Sequence, residues 1–310
     1  MTTTSSNPPL HLNWMANTPW LESLRVDELI LPGTHNSGSD KQSLNLGVLQ
    51  EFAQDVSPHQ QLRNGIRALD LRIRFYPSYA EGDARRFQVF HLTSSGRTVA
   101  VDILQRTREY FAELEQDGSK AREIVILDFH QFDKFTAQAH EELQALIYNG
   151  LGSRRLPYAL RGQTLAQLWS EHPGKNVVVA YNHGSAGHEL WPGVEQCWPG
   201  ENLFNTNTLK AFVDRIGKES KRDFELKAVQ CAKYSLPFHA PTDLSHKVDE
   251  WFKSVDENSY IQNFFIINTD WSLRSKIVAN CRHANQIRST LKKTDPDGHM
   301  QPSRRQISSV

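Results

Sequence analysis

Cysteine is scarce in this chain. Cys197, Cys231 and Cys281 are the three in 310 residues. Their wide spacing and odd number exclude both a disulfide framework and a cysteine-based metal site, so a reducing compartment, or indifference to redox, is expected. Long apolar runs are missing: nothing approaches the ~20 residues needed to cross a bilayer. An excess of either charge is missing too, with 35 Lys+Arg against 35 Asp+Glu. Binding of nucleic acid by bulk charge is thereby excluded, and only local patches stay open. The opening Met-Thr-Thr-Thr-Ser-Ser-Asn-Pro-Pro has neither a basic nor an apolar region, unlike a secretory leader. There is no Asn-x-Ser/Thr sequon, no glycine-rich phosphate loop and no repeat at solenoid or propeller periods.

What the chain does have is an alternation. Short β-rich apolar runs lie at 29–31, 66–73, 87–92, 124–129, 176–180, 226–230 and 264–268. Between them, 102–114, 136–148, 165–170, 206–216, 245–255 and 272–291 read as helices; in the first, Ile103, Leu104, Tyr110, Phe111 and Leu114 line one face. This alternation predicts a parallel sheet covered by helices. Polar residues follow or end almost every run: His35, Arg72, His91, Asp128 and His130, Asn182 and His183, Lys233, Asp270. Chemistry collected from many strand ends is how a (β/α) barrel builds its site. A single-domain α/β fold of the distorted (β/α)8, TIM-barrel type is therefore expected over 21–291, with an N-terminal extension at 1–20 and a polar tail at 292–310. Seven clear strands imply an irregular barrel or one strand unread. Residues 1–12 and the tail are expected to be loosely ordered.

The segment Leu29-Ile30-Leu31-Pro32-Gly33-Thr34-His35-Asn36-Ser37-Gly38 says most about function. An apolar run stops at Pro-Gly and presents a histidine in a loop of small residues, as a buried strand does when it delivers a side chain to a barrel rim. Phe87-Gln88-Val89-Phe90-His91-Leu92, followed by Thr-Ser-Ser-Gly, repeats the arrangement, and between them Asp70 and Arg72 share one strand face. Two histidines, a carboxylate and a guanidinium are the parts needed to split a phosphodiester. One histidine takes a proton from a nucleophilic hydroxyl, the other protonates the leaving oxygen, and the arginine neutralises phosphoryl charge. The bland reading, loop histidines beside a structural Asp–Arg pair, stands against it for each residue taken singly.

In order, Leu-Pro-Gly-Thr-His-Asn-Ser, Gly-Ile-Arg-Ala-Leu-Asp-Leu-Arg, Val-Phe-His-Leu and Glu-Ile-Val-Ile-Leu-Asp-Phe resemble the X domain of phosphatidylinositol-specific phospholipases C, in particular the bacterial enzymes and the X-domain-only subfamily. The resemblance is specific over about residues 25–135. It implies that His35 is the general base for the inositol 2-hydroxyl, that His91 is the general acid for the diacylglycerol oxygen, and that Asp270 orients His35. It puts Arg72 where bacterial enzymes keep an arginine and calcium-dependent relatives a metal-binding acid, and Asp70 where both keep an acid. Asn36 departs from the aspartate usual in bacterial enzymes, which leaves the partner of His91 open; calcium-dependent relatives carry asparagine there. Asp128 and His130 alternate onto one strand face and are expected to line the pocket, with Lys233 and Tyr234 near the inositol hydroxyls.

The resemblance thus implies a phosphatidylinositol phosphodiesterase that releases diacylglycerol and inositol 1,2-cyclic phosphate. No cofactor is expected, because the Arg72 guanidinium beside Asp70 supplies positive charge and repels a cation. Ca²⁺ held by Asn36, Asp70 and Asp128 is the alternative. The partner is phosphatidylinositol at a membrane surface, for a monomer in the cytoplasm, with signal-independent export left open. Two rival functions remain: a barrel phosphodiesterase for other glycerophospholipids, and a non-catalytic phosphoinositide-binding module. His183 and His188 read as loop histidines, and Trp191 and Trp198, each before proline in a long loop, as packing residues or lipid contacts.

Overall fold

The structure is a computed structural model that describes residues 11–44, 49–200, 204–235 and 239–294. Its strands are β1 (Leu31–Thr34), β2 (Ala68–Phe75), β3 (Phe87–His91), β4 (Thr93–Thr98), β5 (Val125–Asp133), β6 (Val177–Tyr181), β7 (Trp191–Pro192), β8 (Glu195–Cys197), β9 (Lys227–Cys231) and β10 (Ile266–Thr269). Its α-helices are α1 (Pro58–Arg63), α2 (Arg106–Leu114), α3 (Ala137–Leu151), α4 (Leu165–Glu171), α5 (Thr206–Ile216), α6 (Ser245–Trp251) and α7 (Ile277–Thr294). Each apolar run read from the sequence overlaps a strand, mostly shifted one or two residues toward the carboxyl end. Three strands lie outside those runs: β4, β7 and β8.

The strands join in the order β7-β6-β5-β2-β1-β10-β9-β8, every pairing along that path being parallel. Read around the sheet, this is chain order closed on itself, since the first strand pairs with the last. The molecule is a (β/α) barrel opened between β7 and β8, with helices outside, as the alternation of elements predicts. The β5 residues Val125, Ile126, Leu127 and Phe129 and the β6 residues Val177, Val178, Val179 and Ala180 are buried on both strand faces, as parallel strands under helices must be.

One unit breaks the pattern. β2 overshoots the barrel to Phe75 and the chain returns as β3, antiparallel to β2, which then pairs with β4. His91 therefore reaches the rim from above, on a hairpin, and not at the end of another parallel strand.

Of the expected extension at 1–20, residues 11–20 are described, and Leu12, Trp14 and Met15 are buried. The Arg67 guanidinium donates to the carbonyls of Leu12, Leu62 and Ile66 and pairs with Glu123 at 2.7 Å. The Trp14 indole N–H donates to the Gly65 carbonyl. At the other end α7 runs to Thr294, and 295–310 lie outside the described residues.

Candidate active site

β1 explains its own sequence. Gly33 stands in register with Asn268 of β10, and a Cβ at Gly33 would meet Asn268 Oδ1 at 2.0 Å, so a larger residue here would have to displace that buried side chain. One residue beyond the Thr34–Thr269 pair the chains carry His35 and Asp270. His35 Nδ1 lies 2.8 Å from Asp270 Oδ1, with both side chains buried. Gln54 clamps this seam, donating from Nε2 to the carbonyls of His35 and Thr269 while its Oε1 accepts from the Ser272 N–H. The carboxylate fixes the tautomer, leaving Nε2 to face the site. Asn36 Nδ2 is 3.1 Å and Arg72 Nη2 3.4 Å from that nitrogen.

Immediately after His35, His91 and Asp270 come Asn36, Leu92 and Trp271, with φ of 48°, 64° and 50°. Asparagine tolerates the left-handed region; leucine and tryptophan enter it at a cost of about 1–3 kcal/mol. The chain thus turns sharply just past each of these three residues.

The His35 and His91 ring centroids are 6.5 Å apart, a span that a phosphodiester can bridge. Burial first, then Arg72 and His35, push the His91 pKa down to about 3. Its Nδ1 is buried without a hydrogen-bond partner among the described residues.

Asp70 and Asp128 face each other in register on β2 and β5, and the register then slips so that Arg72 pairs with Gln131. His130 is the extra residue of that bulge, a device that re-aims a side chain. It reaches between the two acids, with Nδ1 3.0 Å from Asp70 Oδ1 and 3.7 Å from Asp128 Oδ2. Burial works to raise the Asp70 pKa, but His130, Arg72 and His35 hold it well below the usual carboxylate range. Burial and the neighbouring Asp70 push Asp128 up to about 7, against the pull of His130. Burial disfavours charge on His130, yet Asp70 and Asp128 raise its pKa. Gln230 Nε2 donates to Asp70 and to Gln196, and Gln196 donates to Asp128.

Expected residues and observed ones overlap unevenly. His35, Asn36, Asp70, Arg72, His91, Asp128, His130 and Asp270 come together, and the Tyr234 ring stacks near His91 at 6.4 Å. Lys233 is buried, with Nζ bonded to Ser235 and Thr242 hydroxyls. His183 and His188 are exposed on the loop after β6. Trp191 is buried and donates to the Leu156 carbonyl. Gln54, Gln196 and Gln230 were not legible as site residues; of these only Gln230 carried a signal, at the end of a predicted strand.

Among the described residues no group of three or more His, Cys, Asp or Glu side chains is gathered to hold a metal ion. Ca²⁺ needs six to eight oxygens at about 2.3–2.6 Å. His130 Nδ1 sits 3.0 Å from Asp70 Oδ1 and 3.7 Å from Asp128 Oδ2, and Arg72 adds positive charge beside Asp70. Both compete with a cation for these carboxylates, so the residues as placed fit that ion poorly, although Asn36 Oδ1 and Asp128 Oδ1 are buried without a hydrogen-bond partner among the described residues.

No family model matches the chain. It is 37% identical over 234 residues to human PI-PLC X domain-containing protein 1, covering 66% of this chain and 67% of that one. It is 30% identical over 173 residues to the mouse protein of the same name, of which it spans 46%. Among solved structures, the phosphatidylinositol-specific phospholipase C from Listeria monocytogenes superposes with a TM-score of 0.65 at 16% identity, over 88% of this chain and 98% of that one. At that identity the likeness speaks for the fold.

Proposed function

The chain belongs to the PI-PLC X-domain family, and from that premise we propose that it is a phosphodiesterase that cleaves phosphatidylinositol into diacylglycerol and inositol 1,2-cyclic phosphate. The observation that carries this reading is the pair of histidines 6.5 Å apart with the Arg72 guanidinium 3.4 Å from the His35 Nε2.

His35, oriented by Asp270, accepts the proton of the inositol 2-hydroxyl as its oxygen attacks phosphorus. Arg72 and protonated His130 offset the charge that builds on the phosphoryl oxygens. His91 gives a proton to the diacylglycerol oxygen as the P–O bond breaks. The cyclic ester is then hydrolysed slowly, with the two histidines exchanging roles. With two cationic side chains at the phosphate, the reaction proceeds without a metal.

Among the described residues no helix is long and apolar enough to cross a membrane. The test is phosphorus NMR of the water-soluble product from phosphatidylinositol vesicles, with and without chelator. A cyclic-phosphate resonance that appears before the monoester supports the reading. Turnover of phosphatidylcholine, or of a 2-O-methyl inositol lipid, overturns it in favour of a general phosphodiesterase. Binding without turnover overturns it in favour of a phosphoinositide-binding module.

A further inference from the structure

Trp198 lies one residue past β8, the short edge strand beside the barrel opening. Two residues earlier on that strand, Gln196 reaches the Asp128–Gln230 group inside the barrel. Strand periodicity gives Trp198 the same side. Its indole stacks on His35, with ring centroids 5.7 Å apart and planes 22° from parallel. Trp198 is half-buried, and this ring faces the site and not a lipid surface.

We infer that Trp198 is a positioning residue for the base: its π face holds the His35 ring in plane and stabilises the imidazolium that forms when the proton is taken. The inference rests on the reading of His35 as general base. Proton transfer occurs at Nε2, in the plane of the imidazole, so a ring lying on its face leaves the reacting edge open. The electrostatic need is visible in the same geometry. Arg72 Nη2 is 3.4 Å from Nε2, so the base gains its positive charge against a fixed cation. Asp270 answers this at Nδ1. The indole answers it from the face, at a distance within the ~6 Å over which a cation is attracted to an aromatic quadrupole, tryptophan being the strongest of the aromatics. The groups that face His35 are then Asp270 from the end of β10, Asn36 from its own turn, Asp70 and Arg72 from β2, His91 from the hairpin and Trp198 just past β8.

The experiment compares wild type with Trp198→Phe, Trp198→Leu and a fluorinated tryptophan at 198, which keeps the shape while withdrawing electron density from the π face. Two readouts are taken on the full chain: the NMR titration of the His35 ring without ligand, and the pH dependence of kcat/KM on a soluble short-chain phosphatidylinositol. Losing the π face disfavours the protonated ring. The acid limb should therefore move to lower pH by about half a unit to one unit in Trp198→Leu, with plateau kcat down roughly 3- to 10-fold. The fluorinated protein should move part of the way and Trp198→Phe least. An unmoved His35 titration in both the leucine and the fluorinated protein overturns the inference and leaves Trp198 a packing residue. A rate loss seen on vesicles and absent on the soluble substrate overturns it in favour of a lipid contact. If wild type turns over no inositol lipid at all, the proposed function fails, while the titration still decides the stacking role on its own.

Discussion

His35 and Asp270, 235 residues apart in sequence, occupy matching positions one residue past the two strands that join the beginning of the barrel to its end, and their side chains meet at 2.8 Å. Because the His35 backbone N–H also donates to the Thr269 carbonyl, the histidine is held at both backbone and ring. Removing the carboxylate charge should free the wrong tautomer without disturbing the seam. We expect Asp270→Asn, His35→Ala and His91→Ala each to lower kcat by at least ~100-fold. Burial raises the Asp270 pKa, so its charge is costly to the fold, and the Asp270→Asn melting temperature should not fall. Steady-state rates and a thermal melt on the same preparations check both halves.

His91 presents a second expectation. A general acid must carry a proton, yet its pKa of about 3 leaves it neutral near pH 7 in the free protein. The main causes are burial and the Arg72 charge. A bound phosphate ester neutralises Arg72, so ligand binding should be accompanied by proton uptake. Calorimetric titration with inositol 1,2-cyclic phosphate in buffers of different ionisation enthalpy measures this directly. Net proton uptake on binding, lost in His91→Ala, is the expected result; an equal heat in every buffer contradicts the assignment of His91 as the acid.

Arg72 decides the metal question. Activity should persist in excess EGTA, since the guanidinium supplies charge and up to five donors at the phosphate. Arg72→Asp should be nearly inactive in EGTA and regain part of its rate in millimolar Ca²⁺. Wild-type activity abolished by EGTA and restored by Ca²⁺ would instead make Asn36, Asp70 and Asp128 the ligands of a required ion.

The buried acid on β5 should make stability depend on pH. Asp128 has a folded-state pKa of about 7, above its usual value. Its contribution to stability is therefore full below about pH 4 and is lost as pH rises through 7. His130, also raised, acts with the same sign: its contribution is present below about pH 6.5 and fades as pH climbs through its folded value. Asp128→Asn should accordingly raise the melting temperature more at pH 8 than at pH 5, as calorimetric scans at the two pH values would show.

The central part of this architecture was legible because buried parallel strands advertise themselves as apolar runs, and the residues at their ends are the site. His35, Arg72, His130 and Asp270 were found that way. The strands that escaped have no such run: Thr93–Thr98 is small and polar, Trp191–Pro192 has two residues and Glu195–Cys197 three. What they carry escaped with them, including Gln196 and the placement of Trp198. The direction of β3 was also hidden, since an apolar run ending in histidine reads alike whether its partner is parallel or antiparallel. Gln54 had no signal at all; its role exists only once a turn far from β10 in sequence has folded against it.

The hairpin that bears His91 has a consequence for how such an enzyme can change. His35, Asp270 and Arg72 are carried by the adjoining parallel strands β1, β10 and β2, where moving one displaces the next. His91 sits on a hairpin whose one strand pairing to the barrel sheet, among the described residues, is with β2, helped by the Arg97–Asp40 pair and the Thr93 N–H bond to Glu51. Lengthening or re-aiming the turn between β2 and β3 would alter the leaving-group side of the reaction while the nucleophile side stayed fixed. Under the proposed function, the two halves of the chemistry are separable by descent, and a lineage could vary the leaving group without rebuilding the side that holds the nucleophile.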